Sequence, residues 1–131
     1  MNLSGLRLYN GVDVGLIEWC RSLNVGDDNI SSIGDTVGGQ NTSITIRDNV
    51  AEGNWNGSGV GVEATDGFSV LRNRLFNAYG SGLRVATVAA FPTGLDTQNG
   101  TLADNWLENV KRRQDNSHGA IQGHATDPGT E

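Results

Sequence analysis

The sequence predicts an all-β protein built as a solenoid of stacked parallel coils. A strand-and-turn unit recurs along the chain, and its aligned positions form columns of similar residues. Successive members of a column lie about 24 to 32 residues apart, which is the length of one coil of a β-solenoid. The four units are residues 16–24, 44–53, 69–77 and 101–109.

Three columns define the unit. The first holds aliphatic residues, the second holds mostly asparagine, and the third holds asparagine or glycine. They are Ile17, Ile46, Val70 and Leu102; Cys20, Asn49, Asn73 and Asn105; and Asn24, Gly53, Asn77 and Asn109. The aliphatic positions alternate with polar ones, as in strands covered on one face. An asparagine amide can hydrogen-bond the same turn of the coils above and below, and asparagine tolerates the left-handed backbone of a sharp corner.

Each unit leads after a short turn into a second strand, which predicts two strands per repeat. A similar strand opens the chain. These strands begin near Gly5, Asp28, Gly59, Gly82 and Gly119. The alternative is a β-sandwich, whose short strands also recur regularly. A sandwich does not explain matched columns at this period, so the solenoid is favoured.

Composition agrees with a turn-dense all-β chain with a thin core. The 131 residues include 19 glycines and 2 prolines, with 6% aromatics. We expect one domain segment over residues 1–131, with about five coils. Neither end resembles the cap that a solenoid needs, so we expect the segment to belong to a longer β-helix with missing coils on both sides.

The charge balance excludes some partners. The chain has nine Lys and Arg residues and 15 Asp and Glu residues. The resulting net charge of −6 argues against a nucleic-acid surface. The basic run at 111–113 is interpreted as a solvated turn beside Asp115. No apolar stretch reaches the roughly 18 residues of a membrane span. We expect Cys20, Trp19 and Trp106 to be packing residues.

An acidic pair marks the first candidate site. Asp27 and Asp28 follow Gly26 in a turn that returns the chain to a strand, and the glycine permits a bend that turns both carboxylates to solvent. Two close carboxylates repel each other, which raises one pKa and suits one group as acid and the other as base. A solvated Asp-Asp turn is the alternative.

Residues 2–30 resemble the catalytic stretch of the pectin-lyase-like β-helix glycoside hydrolases, in which an Asn-x-Asp-Gly strand precedes a Gly-Asp-Asp or Gln-Asp-Asp turn by about one coil. Residues 80–109 are similar to the α-1,3-glucanases and mycodextranases of glycoside hydrolase family 87. Polygalacturonases share the pattern less closely. The resemblance implies a right-handed, single-stranded parallel β-helix and an inverting hydrolase. It matches Asp27 and Asp28 to the paired aspartates and implies no metal or cofactor.

The chain departs from the family pattern at two places. The preceding catalytic aspartate falls at Ser4, whose hydroxyl is not an acid or base near neutral pH. The His and Lys of the polygalacturonase strands are absent, where this chain has Ser58 and Arg84, so a uronate-specific enzyme is disfavoured. Ser4, Ser58 and Arg84 are kept as candidate substrate-binding residues, although Arg84 equally fits an exposed strand position.

Trp55 is the candidate sugar-stacking residue, because a flat indole beside asparagine side chains suits a pyranose face. It equally fits a role in covering the coil edge. His118 and His124, with Asp115 and Asp127, form no zinc pattern, so no metal site is predicted.

These observations predict a secreted polysaccharide hydrolase of the α-1,3-glucanase type, with its signal peptide upstream of this segment. The alternatives are a non-catalytic glycan-binding or structural module, such as a tail-fibre or surface protein, and a calcium-dependent polysaccharide lyase. Another carboxylate facing the same groove from an adjacent coil would favour the hydrolase. A groove with only Ser4, asparagine and glycine would favour the binding module.

Overall fold

The computed structural model describes residues 4–86, 95–113 and 119–124. Thirteen strands make up its regular structure: β1 (Leu6–Tyr9), β2 (Gly15–Glu18), β3 (Arg21–Val25), β4 (Ile30–Ile33), β5 (Asn41–Arg47), β6 (Val50–Asn54), β7 (Val60–Glu63), β8 (Thr65–Leu71), β9 (Arg74–Phe76), β10 (Leu83–Ala86), β11 (Gln98–Ala103), β12 (Trp106–Glu108) and β13 (Ile121–His124). Over these residues there is no helix, and hence none that could span a membrane.

The strands form three parallel sheets in which every third strand is a neighbour. Sheet A has the order β1-β4-β7-β10-β13, sheet B the order β11-β8-β5-β2, and sheet C the order β12-β9-β6-β3. The chain thus passes through sheets B, C and A in turn and then returns to B. This strand order is consistent with a parallel β-helix, and it confirms the all-β, parallel prediction.

The prediction of two strands per repeat was wrong, because each recurring unit contains a corner. Residues 16–24 split into β2 and β3 around Trp19, whose φ is 55°. The corresponding corners of the next three units also have positive φ, at Asp48 (56°), Arg72 (53°) and Asp104 (56°). Two of the four are aspartates, which tolerate this conformation, and each corner directly precedes a member of the asparagine column, whereas Trp19 and Arg72 have no turn preference of their own.

The predicted columns are confirmed in the strand register. Ile17 pairs with Ile46, Ile46 with Val70, and Val70 with Leu102. The third column has left-handed backbone throughout, with φ of 51° at Asn24, 70° at Gly53, 55° at Asn77 and 50° at Asn109.

The asparagine column forms a hydrogen-bonded ladder at the corner between sheets B and C. The Oδ1 of Asn49 accepts from the Cys20 N–H at 2.9 Å. The Nδ2 of Asn49 donates to Asn73 Oδ1, and the Nδ2 of Asn73 donates to Asn105 Oδ1, both at 3.0 Å. Asn49 and Asn73 are buried, so the ladder satisfies polar groups that water does not reach.

The interior is a narrow core of aliphatic side chains from all three sheets, including Ile30, Ile46, Val60 and Leu75. Cys20 is half-buried and packs against this core, as expected. The prediction for the two strand tryptophans was wrong: Trp19 is 78% exposed and Trp106 is 61% exposed. Trp19 is a corner residue and Trp106 lies on the outward side of an edge strand, so neither points into the core.

Candidate functional site

Sheet A carries the candidate site on its outer face. Leu6, Ile30, Val60 and Leu83 are register partners and belong to the core. Because side chains alternate along a strand, the next residues point outward and form a row on neighbouring strands. That row is Arg7, Ser31, Gly61 and Arg84.

Asp28 places its carboxylate over this row, although it belongs to the turn before β4. The carboxylate is buried, and its Oδ1 accepts the Ser58 backbone N–H at 2.6 Å. Gly61 makes the room, since a Cβ added there would lie 2.6 Å from Asp28 Oδ2. The glycine is therefore needed for a close approach rather than for a turn.

Glu63, at the end of β7, supplies a second buried carboxylate on the same face. Nη2 of Arg84 lies 3.6 Å from Asp28 Oδ2 and also forms an ion pair with Glu63 Oε1. One guanidinium nitrogen thus bridges both acids. Because an ion pair is at most about 4 Å long, Asp28 Oδ2 and Glu63 Oε1 lie no more than about 8 Å apart. Three successive coils contribute Asp28, Glu63 and Arg84.

Burial dominates the electrostatics of both acids. Desolvation raises the pKa of Asp28 above its ordinary value, against the opposing effects of Arg84 and the Ser58 N–H. Desolvation likewise raises the pKa of Glu63, with Arg84 opposing it and the negative charge of Asp28 adding to it. The result is a pair of carboxyl groups that hold a proton more readily than solvated ones.

A second cluster lies beside the first and is nearer to solvent. Nη2 of Arg7 lies 3.3 Å from Asp27 Oδ2, and the Ser4 hydroxyl donates to the same oxygen at 3.3 Å. Arg7 also donates to Ser4 Oγ and, through Nε, to Ser31 Oγ at 3.1 Å. The Arg7 side chain is 30% exposed and that of Asp27 is 19% exposed, whereas Asp28 is almost fully enclosed.

The structure brings most of the predicted site residues together. Asp27 and Ser4 are in contact, and Asp28 and Arg84 are in contact. Ser58 adjoins them through its backbone N–H, while its side chain is buried. Trp55 is 74% exposed in the turn before β7, where its backbone N–H donates to the Val25 carbonyl oxygen at 3.2 Å. Its turn therefore stacks directly beside the turn that carries the two aspartates.

Sequence reasoning missed Glu63 and Arg7. Arg7 aligns with Arg84 once the strand openings at Gly5 and Gly82 are superimposed, so its column was visible. Glu63 ends the alternating segment Val60–Glu63, in which both valines face the core, so the outward direction of the glutamate was predictable. Nothing in the sequence indicated that Asp28, which lies in a turn, folds over the same face.

The remaining predicted features are the basic run and the histidines near the end of the chain. Lys111, Arg112 and Arg113 are exposed, as expected for a solvated turn. His118, Asp115 and Asp127 lie outside the described residues, as does the His124 side chain. Within residues 4–86, 95–113 and 119–124, no group of three or more His, Cys, Asp or Glu side chains is arranged to hold a metal ion.

Comparison with known proteins finds no matching family model, no matching curated protein and no matching solved structure. The resemblance to pectin-lyase-like hydrolases therefore rests on the short motifs quoted above and on the parallel strand order.

Proposed function

We propose that the protein hydrolyses a polysaccharide at the outer face of sheet A. The main support is a second carboxylate on this face. Glu63 faces Asp28 from the next coil and has a raised pKa because it is buried. Glycoside hydrolysis needs a protonated acid and an ionised carboxylate on opposite sides of the scissile bond. With Ser4 in place of the pattern's aspartate, Glu63 restores the required number of carboxyl groups.

Glu63 is assigned the role of general acid. A carboxyl group in a desolvated site stays protonated at a pH where a solvated one is ionised, as an acid that protonates the leaving oxygen requires. Its Oε1 is buried and makes an ion pair with Arg84, without a hydrogen bond of ordinary geometry.

Asp27 is assigned the role of general base. It is the carboxylate of the cluster that solvent reaches, so a water molecule can lie beside it. Arg7 and Ser4 hold its Oδ2, which fixes the orientation of the carboxylate.

Asp28 and Arg84 then act as positioning residues. Asp28 is held by the Ser58 N–H and in turn fixes the guanidinium that lies beside Glu63. Arg84 is 31% exposed, so it is also the group of this set that a sugar hydroxyl meets first.

The substrate class follows the resemblance: a neutral α-glucan of the α-1,3-linked type, with Trp55 as a stacking platform on the adjacent turn. A right-handed helix of about five coils and an extracellular location belong to the same proposal. Enzymes of this kind act on polymers outside the cell.

A second candidate function has its own support. Asp28 is 1% exposed and Glu63 is 6% exposed, so a sugar reaches them only if neighbouring groups move. A glycan-binding module that does not cleave its ligand needs no such movement, and the serine at position 4 agrees with lost chemistry.

The test is release of reducing sugar from α-1,3-glucan, dextran and polygalacturonate, with and without calcium. We expect release from a neutral α-glucan without calcium, and a rate that falls as the pH rises through the raised pKa of Glu63. Glu63→Gln should lower the rate by about 10²- to 10⁴-fold, because the amide cannot donate the proton. Asp27→Asn should have a similar effect.

Glu108→Gln is the matched control, because it makes the same change at an exposed position on β12. Full turnover in Glu63→Gln would remove Glu63 from the mechanism. No release from any polymer, together with retained glycan binding, would establish the binding module instead. Release only from polygalacturonate and only with calcium would indicate a lyase.

A further inference from the structure

A shallow groove of about 350 Å³ lies at the corner between sheets B and C, away from the outer face of sheet A. Its lining includes Trp19, Arg21, Asp48, Arg72 and Arg74. None of these side chains takes part in the site proposed above.

Trp19 gives this groove an exposed aromatic wall. It is 78% exposed and has a φ of 55°, a backbone conformation that a bulky residue rarely adopts. The same corner in the next coils holds Asp48 and Arg72, so the fold does not require an aromatic side chain there. An exposed indole at a conformationally unfavourable position indicates a role other than packing.

The groove carries an excess of positive charge. Arg72 makes a two-pronged contact with Asp48, at 2.8 and 2.7 Å, which neutralises the one acidic residue of the lining. Arg21 makes a looser contact of 3.5 Å with Glu52, and both of these side chains are well exposed. Arg74 contacts the Phe76 ring at 5.4 Å and is paired with no carboxylate among the described residues.

Two of these arginines lie along one row with a second exposed tryptophan, Trp106. Arg21, Val50, Arg74 and Trp106 are register partners on successive strands of sheet C. Strands are about 4.8 Å apart, so Arg21 and Arg74 lie about 10 Å from each other along the row. Trp106, 61% exposed, ends this row beside Arg74.

We propose that this groove binds an acidic oligosaccharide, with Trp19 stacking on a sugar ring and with Arg21 and Arg74 pairing with its carboxylate or sulfate groups. Guanidinium groups recognise both anions through paired N–H donors, and an indole face suits a pyranose ring. Single-stranded nucleic acid also uses arginine and aromatic residues. The net charge of −6 opposes binding of any long polyanion, so a short acidic oligosaccharide is proposed, and single-stranded DNA is the competing ligand in the test.

The proposal is independent of hydrolysis at sheet A, because the two sites share no residue. It is tested by calorimetric titration of the protein with oligogalacturonate, a heparin-derived oligosaccharide, a neutral α-1,3-gluco-oligosaccharide and single-stranded DNA. We expect binding of one or both acidic oligosaccharides, weakened by added salt. If only oligogalacturonate binds, carboxylate is the recognised group. If only the heparin-derived oligosaccharide binds, sulfate is the recognised group.

Trp19→Ala and Arg74→Gln should each weaken that binding about tenfold or more, a change of about 1.4 kcal/mol. Two matched controls should bind as the wild type does: Tyr79→Ala removes an exposed aromatic residue elsewhere, and Arg112→Gln removes an exposed arginine elsewhere. Arg74→Gln keeps the test valid if Trp19→Ala does not fold. Absence of binding to both acidic oligosaccharides, equal binding of the neutral one, preference for DNA, or equal loss in the controls would overturn the proposal.

Discussion

The asparagine ladder and the charged face of sheet A are both stacks of side chains from successive coils, and they differ in how their polar groups are satisfied. In the ladder, identical neutral amides donate and accept in a repeating pattern. On sheet A, unlike charged residues meet, and burial shifts the pKa of Asp28 and of Glu63 upward.

The difference separates a structural stack from a candidate site. A ladder of neutral amides stabilises coil register, and its members are interchangeable between coils. A buried pair of acids around one arginine does not repeat, and it is stable only while each charge keeps its partner. Departure from the repeat therefore marks the outer face of sheet A as the place to look for function.

The largest expected effect comes from Arg84→Gln, which leaves Asp28 and Glu63 facing each other without the cation that bridges them. We expect a loss of about 3 kcal/mol in the free energy of unfolding at pH 7. The loss should shrink as the pH falls. Both folded pKa values lie above the ordinary 3.8 and 4.5, so the folded state takes up protons before the unfolded state does.

Urea unfolding at pH 7 and pH 5 measures this, with the exposed Arg112→Gln as the control. A loss that is equal at both pH values would show that the two acids do not depend on Arg84.

Asn73→Ala should have the next largest effect, because it breaks the ladder at a fully buried step. The substitution removes donors to Ile46 O and Asn105 Oδ1, both at 3.0 Å, and the acceptor of the Asn49 N–H at 3.1 Å. We expect a loss of about 2 to 3 kcal/mol in the free energy of unfolding at every pH from 5 to 7. Asn56→Ala, at an exposed turn position, should leave it unchanged. A loss under 0.5 kcal/mol, about the size of a surface effect, would mean that water replaces the amide.

Trp19→Asn should have the smallest effect and the opposite sign. Asparagine tolerates the left-handed backbone at this corner better than an aromatic residue, so we expect a gain of about 1 kcal/mol in the free energy of unfolding. Thermal unfolding measures the gain, with Trp55→Asn as the comparison, since Trp55 is equally exposed but is not among the residues with positive φ. A loss of stability in Trp19→Asn alone would mean that the indole packs on the corner after all.

The sequence predicted the repeating part of this molecule well. Ile17, Asn49 and Asn73 lie in the columns that their spacing predicted, because a solenoid repeats the same environment once per coil. The number of strands per coil was missed, because each unit was interpreted as a single strand with its turn, although Asp48 and the asparagine beside it favour a corner there.

For the candidate site, the local sequence after Gly26 and the family resemblance pointed to Asp27 and Asp28 as an acidic pair in one turn. The structure separates them: Asp27 pairs with Arg7 near solvent, whereas Asp28 lies buried against Gly61 and Arg84. Adjacent residues diverge in this way because neighbouring side chains of an extended segment point in different directions.

The sequence by itself determined the all-β repeat, its coil length, the amide ladder and the outward direction of alternate strand residues, since each follows from local periodicity. The tertiary structure alone decided which outward residues meet. Glu63 and Arg84 are 21 positions apart, and Asp28 and Arg84 are 56 positions apart, yet coil stacking places all three in one buried cluster. Their protonation depends on that enclosure, because desolvation is a property of the assembled coils and not of any one segment.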